Sequence, residues 1–362
     1  MLWFWISFIL LVLLLLALDL GVFHRKLHTV SVSEALIWSG VWISLAMCFN
    51  VFIYYAYSNH WLGIGQAADG SVWIDPVDDV PLNGKNAAIK FFTGYVIEKS
   101  LSVDNIFVIA LIFEFLRIPS LYQHRVLFWG ILGALVMRGL FIGLGSALIA
   151  RFHWILYFFG GFLVFTGIKM LSSSGETDPA KSLLVRWARR VFPITSELHG
   201  QSFVVRRSDA AGDESGAGSH SQLPELAPGR SKYILTPLAM ALIIVEGTDL
   251  IFAVDSIPAI FAITGDSFLV FTSNIFAILG LRSLYFALAG IMGKFVYLKP
   301  ALAIILAMVG VKMLVADYLK QWDFMKDYLS LITLGLIGLI LAGGIVASLL
   351  ASKPGPPESA QA

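Results

Sequence analysis

Charge is scarce in this chain, and so is cysteine. Only 14% of its 362 residues are Asp, Glu, Lys or Arg, against about 25% in an average soluble domain. That excludes an ordinary soluble globule of this length. The single cysteine, Cys48, rules out a disulfide framework or a thiolate metal cluster within one chain. It lies in an apolar run and reads as a small packing residue. No phosphate-binding glycine loop, HExxH or GxSxG is present. ATP-driven work is therefore not expected, nor is an enzyme activity or a resident cofactor. The formal net charge of +1 points to no class of partner, and nucleic acid is not expected as one.

Apolar residues make up 58% of the chain, and the mean hydropathy is +0.81. They come in long runs, which is the pattern of membrane spans. The runs predict an all-α polytopic membrane protein with nine spans, near 3–20, 34–56, 87–115, 124–148, 153–171, 236–264, 267–288, 300–317 and 328–350. The first run has no basic segment before it and no small-residue cleavage site after it, so it reads as a retained span. The third and sixth runs exceed the 20 or so residues that cross a bilayer, so they are expected to tilt, kink or unwind.

Lys and Arg fall unequally on the two sides. Fifteen lie in connections one, three, five and seven and the C-terminal tail, and four (Lys85, Arg151, Lys320, Lys326) lie opposite. The positive-inside rule then puts the N-terminus outside and the C-terminus in the cytoplasm. The chain divides into 1–86 (two helices and an acidic outer loop), 87–171 (a three-helix unit), 172–235 (a cytoplasmic loop), 236–318 (a second three-helix unit) and 319–362 (a last helix and tail). Asp69, Asp75, Asp78 and Asp79 make the outer loop 57–86 acidic, and it reads as solvated. Within the cytoplasmic loop, 181–192 has basic and apolar faces suited to a leaflet surface, and 208–230 has the composition of a disordered linker.

The two three-helix units are related. SLSVDNI at 100–106 aligns with IFAVDSI at 251–257, GALVMRG at 133–139 with AILGLRS at 277–283, and TGIKML at 166–171 with VGVKML at 309–314. The offsets of 151, 144 and 143 place Asp104 over Asp255, Arg138 over Arg282 and Lys169 over Lys312. Three spans per unit with opposite directions make a 3+3 inverted repeat, the architecture of secondary transporters.

Five acids lie inside the spans: Glu98, Asp104, Glu246, Asp249 and Asp255. Each costs about 2.5–3.5 kcal/mol to insert, so each needs a partner, a proton or a cation. In a straight helix Glu246 and Asp249 share a face, and Asp255 points about 180° from Glu246. One ion could not then touch all three, so Pro258 is expected to break the helix and bring Asp255 and Ser256 toward a common site. With Asn105 these residues form an all-oxygen donor set suited to Mn²⁺, Mg²⁺ or Ca²⁺. Arg138, Arg282, Lys169 and Lys312 are expected to balance the acids. Full mutual neutralisation would instead give a structural ion-pair network.

At EKSLSVDNIFV (98–108), TPLAMALIIVEGTDLIFAVDSIPAIFAIT (236–264) and TSNIFAILGLRSLYF (272–286) the chain resembles the TerC/Alx family of integral membrane proteins. The resemblance covers most of 80–320, and HGQSFVVRR at 199–207 fits the family's inner loop. It implies a nine-span protein of a broader exporter superfamily (LysE-like), connected with tellurite resistance and Mn²⁺ export. Crowded carboxylates that release protons when metal binds would couple that export to protons. The partners expected are a divalent metal ion and the lipid bilayer, with an exported metalloprotein or a membrane protein as a further partner. The alternative is a membrane scaffold or assembly factor whose charges are structural.

Overall fold

The computed structural model describes residues 2–21, 31–67, 69–152, 154–172, 183–192, 195, 198–206, 233–288, 297–319 and 323–351. The expected linker 208–230 lies outside them. The helices, in chain order, are α1 (Leu2–Gly21), α2 (Val32–Ser58), α3 (Gly84–Phe115), α4 (Ser120–Arg151), α5 (Ile155–Ser172) and α6 (Leu183–Val191). They continue with α7 (Pro237–Phe261), α8 (Ser267–Leu279), α9 (Leu281–Leu288), α10 (Leu298–Leu314), α11 (Ala316–Leu319) and α12 (Asp323–Ala351). The chain is a polytopic, helical membrane protein.

By length and hydropathy, α2, α4, α5, α7 and the Tyr328–Ala351 part of α12 qualify as spans among the described residues. The α8–α9 pair makes six if its 41° bend is taken as one broken span. Helix also covers the other three expected runs, as α1, α3 and α10, where charge or length departs from that simple pattern.

Local sequence sets the helix starts. Ser31, Asn83 and Thr236 each turn a side-chain oxygen to a backbone N–H of the first turn, in α2, α3 and α7. Pro237 follows Thr236 at the first helical position, where its missing N–H costs nothing. Asp266 caps α8, accepting from the N–H groups of Phe268 and Leu269 at 2.9 and 3.0 Å.

One expectation about the backbone fails here. α7 runs unbroken through Pro258 to Phe261. The proline sits one turn from the helix end, and its neighbours Ile257, Ala259, Ile260 and Phe261 are buried and hold the geometry. The seventh run is instead the one that bends, at Gly280 between α8 and α9.

Helix pairing is reciprocal. α3 packs on α8, α4 on α7, and α5 lies along α10. The α5–α10 crossing is held by missing side chains. A Cβ on Gly310 would stand 2.7 Å from the carbonyl oxygen of Gly160, and one on Gly167 would stand 2.7 Å from that of Ala303. Applying the 143-residue offset turns the first contact into the second.

Aromatic side chains tie α1, α2 and α3 to α8: Phe8 meets Phe49, Phe268 and Phe271, and both Phe49 and Phe91 meet Phe276. A second apolar cluster joins the end of α3, the start of α4 and α7, and α9. α6 contributes Val185 and Ala188 to it. Within the expected amphipathic stretch, Val185 and Ala188 pack on the protein's own core while Trp187 is exposed. A short antiparallel pair, β1 (Val204–Arg206) with β2 (Tyr233–Leu235), closes the loop beside it. Cys48 is exposed on α2, not packed, because most of α2 faces away from the bundle.

Candidate functional site

The intramembrane acids stand on α3 and α7, and since both helices are unbroken, helical rotation decides what each acid meets. It separates them into two groups.

Arg138 of α4 organises the first group. Its Nη1 donates to Glu98 Oε1, in a short ion pair, and its Nη2 to Asp249 Oδ1 at 2.8 Å. Nε donates to Asp249 Oδ2 at 3.3 Å, which makes the Asp249 contact two-pronged. Nη1 also reaches Ser256 Oγ at 3.3 Å and Asn274 Oδ1 at 3.2 Å. Asn274 Nδ2 returns to Glu98 Oε2 at 3.3 Å. Arg138 and Glu98 are fully buried. The 151-residue offset carries Glu98 onto Asp249, so one arginine serves the same position in both units.

The second group lines a cavity of about 330 Å³. Its walls include Asp104 and Asn105 of α3, Asp255 and Ser256 of α7, Thr166 and Lys169 of α5, and Lys299 of α10. Three pairs related by that offset face the same space: Leu101 and Phe252, Asp104 and Asp255, Asn105 and Ser256. Asp255 accepts from Thr166 Oγ1 at 3.2 Å. Among the described residues neither Asp104 nor Asp255 forms an ion pair, and no three His, Cys, Asp or Glu side chains gather as a ready-made metal cluster.

The five acids therefore do not converge. Glu98 and Asp249 belong to Arg138. Glu246 lies against α4, with its Oε1 1.9 Å from where a Cβ on Gly133 would stand. Asp104, Asn105 and Asp255 line the cavity, and Ser256 lines it while touching Arg138. Arg282 is buried in α9. Lys169 is at the cavity, but Lys312 is not beside these acids. Its Nζ donates to Ala262 O at 3.4 Å, near the turn between α7 and α8. Lys99 ends at Ala277 O, 3.1 Å away, beside the bend.

The outer loop corrects a further expectation. Asp75 and Asp78 are buried, not solvated. Lys90, in the second turn of α3, pairs with both at 2.8 and 2.6 Å. Asp75 also accepts from Thr264 Oγ1 at 2.5 Å and from the Gly265 N–H at 2.9 Å, and Asp78 accepts from Ser330 of α12 at 3.1 Å. Burial alone would raise the Asp75 carboxyl. The Lys90 ammonium and these hydrogen bonds outweigh it and hold Asp75 below the usual carboxylate range. Asp266 nearby goes the other way, pushed up to about 6 mainly by burial, with the Asp75 charge adding, against the Leu269 and Phe268 N–H groups.

Sequence reasoning missed Asn274, Lys90 and Lys299. Extending the 151-residue offset two residues upstream pairs Glu98 with Asp249, and that was the available signal for the arginine site.

A bundle of long apolar helices closing over buried acids and an acid-lined cavity defines an integral membrane protein that crosses the bilayer several times. Its family follows from comparison: residues 83–355 match the integral membrane protein TerC family, to which this chain belongs. A membrane protein of Myxococcus xanthus designated STKORF319 is 45% identical over 359 residues, 99% of this chain and 95% of that one. "Putative membrane-bound redox modulator Alx" of Escherichia coli K12 is 41% identical over 316 residues, 87% of this chain and 86% of that one. A membrane protein of Rickettsia bellii is 38% identical over 339 residues, 92% of this chain and 95% of that one. No solved structure matches.

Proposed function

We propose that this protein is a secondary transporter that exports a divalent metal ion, Mn²⁺ by preference, in exchange for protons. One observation carries the reading. Asp104 and Asp255, matched by the sequence repeat, face a single cavity together with their matched neighbours Asn105 and Ser256. Two carboxylates, an amide and a hydroxyl supply hard oxygen donors, and the cavity has room for an ion that keeps part of its water shell, as Mg²⁺-like ions do. The other acids then have separate roles. Arg138 fixes Glu98 and Asp249 as a structural brace, and Glu246 serves as a proton carrier.

The reciprocal helix pairs support a 3+3 inverted repeat within a nine-span chain, since each unit's first helix meets the other's second and the third helices meet each other. Such repeats rock about a site near the midplane. Positive-inside counting supports an N-terminus outside and a C-terminus in the cytoplasm, and the bacterial relatives support an inner-membrane location. The cavity then opens toward the cytoplasm, and the Lys90 cluster lies at the outer face. A redox effect, of the kind in the Alx relative's name, would act here through the ion moved, because one cysteine per chain allows no intramolecular dithiol exchange.

Liposome flux tests the reading. Wild-type protein is expected to move Mn²⁺ faster with a pH gradient than without one, and Asp104→Asn and Asp255→Asn are expected to stop it while remaining folded. The Arg138 brace favours a second reading, a membrane scaffold with structural charges. Normal function of both Asn variants, with no flux from wild type, would select it, and the search would then turn to an exported or membrane protein partner.

A further inference from the structure

Asp104 and Asp255 share their cavity with two amines, Lys299 and Lys169. The charge of Lys299 acts on Asp104 and that of Lys169 on Asp255. Yet among the described residues neither amine closes an ion pair, although Arg138 and Lys90 each close two. Both lysines stand at one end of the α5–α10 pair, Lys169 in the last turn of α5 and Lys299 in the first turn of α10. Lys169 is exposed and Lys299 half-buried, so each can withdraw its ammonium along a flexible four-carbon stem without moving a helix.

We propose that Lys169 and Lys299 are resident counter-cations that the transported ion displaces, and that this exchange selects divalent over monovalent cations. The proposal rests on the transporter reading above and adds a selectivity mechanism to it. With both lysines in place the cavity is neutral, two negative charges against two positive. One divalent ion replaces both ammonium groups charge for charge. A monovalent ion replaces only one, and must either leave the other lysine beside it or leave one aspartate uncompensated in a low-dielectric site. When the ion departs, the lysines return, so the empty site does not have to hold two bare carboxylates as it reorients. The lysines belong to α5 and α10, and the acids to α3 and α7. A rearrangement of the α5–α10 pair against the rest would therefore change the occupancy of the site directly.

The test is calorimetric titration of Mn²⁺ into purified, full-length protein in detergent. It compares wild type with Lys169→Met, Lys299→Met, Lys169→Arg, Lys299→Arg and the double variant Asp104→Asn/Asp255→Asn. Each titration is run in NaCl and in N-methylglucamine chloride. Size-exclusion profiles establish that each variant is folded. Each Met variant is expected to bind Mn²⁺ about tenfold tighter, which is about 1.4 kcal/mol. Na⁺ should compete in the Met variants and not in wild type. The Arg variants keep the charge and should bind like wild type. Unchanged or weaker Mn²⁺ binding in the Met variants, or equal tightening in the Arg variants, would overturn the proposal. If wild type binds and the double Asn variant does not, the transporter reading survives that result. Absence of Mn²⁺ binding in wild type and all lysine variants would remove both.

Discussion

Replacing Lys90 with Met should destabilise the protein and reverse the sign of one pH effect. Lys90 is 1% exposed, and both of its partner acids are almost completely buried. Removing the amine leaves two carboxylates in a site built for a cation. Breaking one side of a buried pair costs about 3–5 kcal/mol, most of it from the charge left behind. Protonation offers the variant an escape. In wild type, Asp75 has a depressed pKa. Its contribution is therefore present above the unfolded value near 3.8 and lost only as pH falls below that. Without Lys90, burial is the dominant influence and the Asp75 pKa moves above the unfolded value. The neutral form is then favoured on folding, and stability is lost as pH rises. The deficit of Lys90→Met relative to wild type should be largest near pH 7 and shrink toward pH 4. Taking the difference at each pH removes contributions common to both proteins. Thermal unfolding in detergent, followed by intrinsic fluorescence across that range, measures it. A deficit below about 1 kcal/mol, or one that does not shrink in acid, would refute the description of this cluster as buried and charge-balanced.

Three further outcomes are expected. Arg138→Met should cost about 3–5 kcal/mol and Glu98→Gln/Arg138→Met less, because the double change removes one of the stranded charges; a double variant no more stable than the single one in a melting assay would contradict the arginine brace. Asp266 has a folded pKa raised to about 6, so its contribution is fully present below its unfolded value and is lost as pH rises through about 6; Asp266→Asn should flatten the pH dependence of melting between roughly pH 4 and 6. Gly310→Ala should cost about 1–3 kcal/mol, because its Cβ meets the Gly160 carbonyl at 2.7 Å, whereas Gly161→Ala, with open space around it, should be neutral; equal melting temperatures would refute the close α5–α10 crossing.

Composition and hydropathy made the helices readable, since a membrane span is a long uniform signal. The five acids were readable because charge is conspicuous against such a background. Their partners were not. Which of Arg138, Lys169 or Lys312 reaches a given acid depends on helix rotation and neighbour choice, and no single helix encodes either. Pro258 misled because losing the bond to the Val254 carbonyl need not break a helix whose flanking residues are packed, and Ile257, Ala259, Ile260 and Phe261 are all buried. The loop acids Asp75 and Asp78 read as solvated because Lys90, their counter-ion, is hidden in the apolar start of α3. Gly280 bends the seventh run, although a lone glycine in an apolar helix carries little signal of its own.

The Arg138 brace also bears on how the chain is made. Spans leave the ribosome in order, and α3 enters the membrane carrying Lys90, Glu98, Lys99 and Asp104 before its arginine has been synthesised. At translocon depth such a segment is a poor guest on its own. Glu98 has no arginine to pair with until α4 delivers Arg138. Asp249 arrives much later and finds that arginine already installed. Biogenesis is therefore asymmetric between two units that look alike in sequence: the first half can prepare a place for the second, and the second half expressed alone would bring Asp249 into the bilayer without the arginine that receives it.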